Sequence, residues 1–63
     1  MKLYIARDEE GNLYLYDNLP IKKEEYFQPQ RGYDMMKLDD RLFPEVIFNN
    51  SPQEVELKLT KLC

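Results

Sequence analysis

Residues 2 to 17 constrain the fold more than any other stretch of this chain. KLYIARD and NLYLYD are two alternating runs joined by Glu9-Glu10-Gly11, a three-residue loop with glycine where a left-handed backbone is needed. If Asp8 stands opposite Asn12, then Arg7 faces Leu13, Ala6 faces Tyr14, Ile5 faces Leu15 and Tyr4 faces Tyr16. Side chains alternate across a strand, so this register sorts them. Leu3, Ile5, Leu13 and Leu15 share one face; Tyr4, Ala6, Tyr14 and Tyr16 share the other. The aliphatic face reads as core. The tyrosine face reads first as a second core wall with its hydroxyls at the rim.

Short pieces follow. Asn18-Leu19-Pro20 and Pro29-Gln30-Arg31-Gly32 are turn sequences. Ile21 to Tyr26 leaves room for one helical turn behind Pro20, and Lys22-Lys23-Glu24-Glu25 is too polar to extend it. YDMMKL, residues 33–38, is an extended run. Asp39 to Phe43 reads as a single 3₁₀ or helical turn capped by Asp39 or Asp40, and Phe43, preceding Pro44, is biased toward extended geometry. Val46-Ile47-Phe48 is a short apolar strand candidate.

The closing SPQEVELKLTKLC supports two incompatible readings. Ser51-Pro52-Gln53-Glu54 is a capping box with proline at the first helical position. Val55, Leu57 and Leu59 alternate with Glu56, Lys58 and Thr60, as in a strand. A helix would turn Leu57 away from Val55, Leu59 and Leu62 into water. The strand reading keeps the leucines together and follows a turn-rich cluster, so it is preferred.

The expected fold is therefore a single all-β domain over residues 1–63, a small antiparallel meander or barrel-like arrangement of about five short strands. Its core would hold Leu3, Ile5, Leu13, Leu15, Val46, Phe48, Leu57 and Leu59, with Met35 or Met36 filling gaps. The alternative is α+β, with a helix over residues 52–62 laid across the sheet. At 63 residues such a domain hides only ~60% of the surface its unfolded chain exposes. Cys63 is the one cysteine and there is no histidine. An intrachain disulfide and a zinc cage of nitrogen and sulfur ligands are thereby excluded, leaving tight packing or association to hold the fold. A free thiol without an export signal suggests the cytoplasm, and no apolar run approaches the ~20 residues that span a bilayer.

Chemistry is sparse. Without histidine no serine–histidine or cysteine–histidine pair can form. Asp39-Asp40, or Asp34 with Asp17, are the only carboxylate pairs that invite an acid/base reading, and such work needs an apolar cleft that a small domain seldom has. The expectation is a protein that is not an enzyme and carries no cofactor or metal. Tyr4, Tyr14 and Tyr16, with Lys2 and with Arg7 near the turn, form the candidate interaction face. A protein partner, bound there or at an unpaired strand edge, is the leading expectation, with a homodimer through that edge as one form of it. Single-stranded nucleic acid stacked on the tyrosines is the alternative. The net charge of −3 sets that reading second, since nucleic-acid binders carry a basic stripe.

LYIARDEEGNLYLY, GYDMMKLDDRLFPEV and NNSPQEVELKL together resemble a group of small proteins, without an assigned activity, encoded in gut Bacteroidales genomes and their prophages. The resemblance implies an opening hairpin, an LFPEV-like segment and a closing EVELKL-like strand. It also implies a packing role for the aromatic two residues after Val46, here Phe48, and a prophage-type accessory protein that binds a host or phage component.

Overall fold

The structure, a computed structural model, describes residues 1–57. The opening hairpin adopts the register that its alternation dictates. β1 (Lys2–Arg7) and β2 (Leu13–Tyr16) run antiparallel with Tyr4 opposite Tyr16, Ile5 opposite Leu15, Ala6 opposite Tyr14 and Arg7 opposite Leu13. Asp8 organises the turn: its Oδ1 accepts the N–H of Glu10 at 3.0 Å and of Asn12 at 2.9 Å. Gly11 takes φ +96°, a left-handed conformation that a Cβ would strain.

Four further strands follow: β3 (Ile21–Lys22), β4 (Phe27–Gln28), β5 (Met35–Lys37) and β6 (Gln53–Glu56). They make a four-stranded antiparallel sheet in the order β5-β2-β1-β6 and a separate β3–β4 pair. No helix occurs among the described residues, so the domain is all-β. Ile21 to Tyr26 is not a helical turn; it holds β3 and the tight turn into β4, closed by the Lys23 N–H donating to the Tyr26 carbonyl at 2.8 Å. Nor is Val46-Ile47-Phe48 a strand. Residues 39–50 cross the sheet as successive turns, held by Asp39 Oδ1 accepting the Arg41 N–H and by Asn50, which accepts from Ile47 N–H and donates to the Glu45 carbonyl.

The closing segment is a strand as far as it is described. Val55 stands opposite Leu3 and Gln53 opposite Ile5. The Ser51-Pro52 peptide is cis, and the residues after it, Gln53–Glu56, are strand and not helix. The remainder of the strand expected through Leu59 lies outside the described residues.

Each face of the main sheet carries a small core of its own. On the aliphatic face Ile5, Leu13 and Val46 are buried together, with Leu15, Leu38 and Val55 packed against them. On the tyrosine face Ala6, Tyr16 and Phe27 are buried, with Tyr4, Tyr14 and Phe48 around them. Val46 and Phe48, two residues apart, thus serve opposite faces. Three core expectations are corrected. Met35 and Met36 are exposed because they lie on an edge strand, and Leu57 is 60% exposed at the end of β6. Leu3 is half-buried, with open space beside it.

Candidate functional site

Arg7 does not belong to the tyrosine face. It follows Leu3 and Ile5 at two-residue spacing, so its side chain runs beneath the turns of residues 40–46. Nε donates to the Val46 carbonyl at 2.6 Å. Nη1 donates to Gly11 O at 2.8 Å and Asp40 O at 3.0 Å; Nη2 donates to Leu42 O at 2.9 Å and Phe43 O at 3.2 Å. A guanidinium has five N–H donors, and all five end on backbone carbonyls. Its own N–H donates to Ser51 Oγ at 3.0 Å, while Ser51 Oγ donates to Ile47 O at 2.5 Å. Arg7 is thus a brace for a segment that has no sheet of its own, and no donor is left for a partner. Alternation already put a cation on a core face, where its charge must find acceptors.

The three tyrosines are adjacent but do not form an open platform. Tyr16 is 1% exposed and its Oη donates weakly, at 3.5 Å, to the Phe27 carbonyl. Burial, with smaller contributions from Tyr14 and Asp8, pushes its pKa up to about 12. Tyr14 lies 6.4 Å from Tyr16, tilted by 55°, and Lys37 Nζ sits 5.7 Å from its ring centre. Phe27 and Phe48 cover the far end at 5.5 Å from each other, with Lys22 Nζ 4.4 Å over Phe48. Tyr4, half-buried, donates to Glu54 at 3.4 Å. Of the three rings only Tyr16 is closed off by protein; Tyr4 and Tyr14 are half-buried.

The aspartates are structural acceptors. Asp17 Oδ1 accepts the Asp34 N–H at 3.0 Å. Hydrogen bonds from the Arg41 side chain and then its backbone hold Asp39 below the usual carboxylate range. Lys37, followed by the Leu13 N–H at 3.1 Å, does the same for Asp40. Carboxylates held ionised in water cannot act as general acids near neutrality. Among the described residues no group of three metal-ligating side chains occurs, and no helix is long and apolar enough to cross a membrane.

What stands open is the other end of the aliphatic face. Leu3, Leu15, Leu38, Leu42, Phe43, Val55 and Leu57 line an almost wholly apolar groove of about 370 Å³. Leu42, Phe43 and Leu57 are each more than 40% exposed. Phe43 holds φ +47°, a left-handed conformation that costs a non-glycine residue roughly 1–2 kcal/mol. That strain sets its ring on the groove wall. Sequence reasoning missed all three of Phe43, Leu42 and Leu38: Phe43 was expected extended, and the two leucines were assigned no role.

The groove runs to a free sheet edge. Leu57 N–H donates to the Met1 carbonyl at 2.9 Å, which fixes the phase of the β1–β6 ladder. In an antiparallel pair, residues alternate between facing their partner with both backbone groups and turning both away. With Leu57, Val55 and Gln53 bonded inward, the N–H and C=O of Glu54 and Glu56 point outward. No other described strand meets them. The side chains of Glu54 and Glu56 are exposed on the tyrosine face, opposite Tyr4 and Lys2. Comparisons with protein-family models, with curated proteins and with solved structures found no match to this chain.

Proposed function

We propose that this protein is a non-catalytic interaction module that takes up an extended segment of a protein partner along the outer edge of β6. The observation that carries the reading is the continuity of that edge with the apolar groove. An added strand would bond to the outward backbone groups of Glu54 and Glu56, and every second side chain would point toward Val55, Leu57 and the groove. Exposed Leu42, Phe43 and Leu57 form the contiguous apolar surface expected where a partner is taken up. An accessory protein that binds a host or phage component, as the resemblance to prophage-encoded proteins suggests, is a role of this kind.

The test is ¹H–¹⁵N and methyl NMR of the labelled protein titrated with a short β-forming peptide and with the same peptide N-methylated at alternate backbone nitrogens. Strand addition predicts shifts at the Glu54 and Glu56 amides and the Leu3 and Leu15 methyls, abolished by N-methylation on the bonding side. Shifts that survive N-methylation in both registers would show a hydrophobic contact without strand pairing, and the reading would fall. Mixed single-stranded oligonucleotides, added separately, test the alternative. Shifts confined to Tyr4 and Tyr14 would favour it.

A further inference from the structure

We infer that the segment taken up on β6 alternates basic with apolar residues; the inference rests on the strand-addition reading above and names its partner's chemistry. The β6 edge is two-sided. Glu54 and Glu56 project on one side of it and Val55 and Leu57 on the other. Residues directly opposite on neighbouring strands lie close enough for charge to matter, opposite charges favouring and like charges opposing the pairing. A strand added there must place side chains on one face beside Glu56 and beside Glu54, which already meets Lys2 Nζ at 3.9 Å and the Tyr4 hydroxyl at 3.4 Å, and on the other beside an apolar groove. Lysine or arginine alternating with branched aliphatic residues satisfies both faces at once.

A second copy of this chain satisfies them less well. Within the described residues, antiparallel pairing of two β6 edges centred on Glu54, Val55 or Glu56 would set glutamate against glutamate. The opposite edge, β5, offers Lys37, but that ammonium is paired with Asp40 and lies over the Tyr14 ring. Pairing β5 of one copy to β6 of the next would also be head-to-tail, and such contacts close into rings or run on into open assemblies. The complementary charge therefore comes from a different chain.

The experiment uses two acetylated, amidated hexapeptides, one alternating valine with lysine and one alternating valine with glutamate. Each is titrated into the full chain at low salt while the amides of residues 54–57 and the methyls of Leu3, Leu15 and Val55 are followed. The expected result is binding of the lysine peptide about tenfold tighter than of the glutamate peptide. The preference should vanish in the Glu54→Gln/Glu56→Gln double variant, which removes both charges without adding a cation beside Lys2. Equal binding of both peptides at β6 of the unsubstituted chain would overturn the charge rule and leave strand addition standing. No shift with either peptide would overturn both. Two further results in the free protein would also overturn the inference: sedimentation showing self-association with broadening at β6, or nuclear Overhauser contacts from Leu59 or Leu62 to Leu3 and Leu15. These assign the surface to a second copy or to the chain's own last residues.

Discussion

Arg7 ends β1 at a position whose neighbours on the same face, Leu3 and Ile5, point toward the aliphatic core. The chain uses that cation instead of excluding it: five carbonyls from Gly11 and the turns of residues 40–46 converge on one guanidinium. Lysine keeps the charge but offers three donors from a single point, so at least two carbonyls would lose their partner. Arg7→Lys should therefore lower stability by roughly 2–4 kcal/mol in urea unfolding. A loss under half a kcal/mol would show that water replaces those bonds freely. Ser51→Ala should cost about 1–3 kcal/mol by leaving the Arg7 N–H and the Ile47 carbonyl without the shared hydroxyl. Tyr16 adds a pH dependence. Its pKa of about 12 lies above the 10.0 of an unfolded tyrosine, so the fold favours the protonated phenol. That contribution is complete below pH 10 and is lost as pH rises from 10 toward 12. The urea midpoint should fall over that interval, and Tyr16→Phe should lessen the fall. An identical decline in the variant would locate the effect elsewhere.

At the level of elements, the sequence was most readable where alternation is long. KLYIARD and NLYLYD fixed the pairing of β1 with β2 residue by residue. Val55, Leu57 and Leu59 alternating with Glu56, Lys58 and Thr60 favoured a strand, whose described part is β6, over an attractive capping box. In residues 39–50 the turn capped by Asp39 was legible, whereas Val46–Phe48 was misread as a strand; side-chain hydrogen bonds from Arg7 and Asn50 hold that stretch, and periodicity carries no trace of such bonds. Strand order decides where the open edges fall: β1 lies inside the sheet because β6 returns to pair with it, and β5 takes the other edge. The tyrosine face was chosen for its composition, whereas the open surface is on the aliphatic face, where Val46 covers only one end. Phe43 links this geometry to energy. Glycine at that position would relieve a left-handed backbone worth roughly 1–2 kcal/mol while removing a ring that is 46% exposed. Phe43→Gly should leave stability unchanged or slightly raised and weaken peptide uptake in the groove. Lost stability with unchanged binding would make Phe43 a packing residue only.

Over the whole molecule, one sheet serves as the wall of two small cores, and neither would stand without it. Domains of this size are stabilised by roughly 0.05–0.15 kcal/mol per residue, a range of about 3–9 kcal/mol for a chain of 63 residues. Leu13 is completely buried between Ile5 and Val46, and truncating such a leucine to alanine costs about 2–5 kcal/mol. Leu13→Ala should thus remove much of the total stability. Its neighbours in β2, Tyr14 and Tyr16, lie on the opposite face, so loss of the aliphatic core should take the aromatic core with it. In urea titrations of the variant, tyrosine fluorescence reports the Tyr16–Phe27 side and the Val46 methyl signals report the other. The two transitions should coincide and shift together to lower denaturant. Separate midpoints, with the Val46 signals lost first and the tyrosine signal retained, would mean that the β3–β4 hairpin and the tyrosine face hold together on their own. The groove would then be the surface of a separately melting half, and a partner bound at β6 should stabilise that half alone.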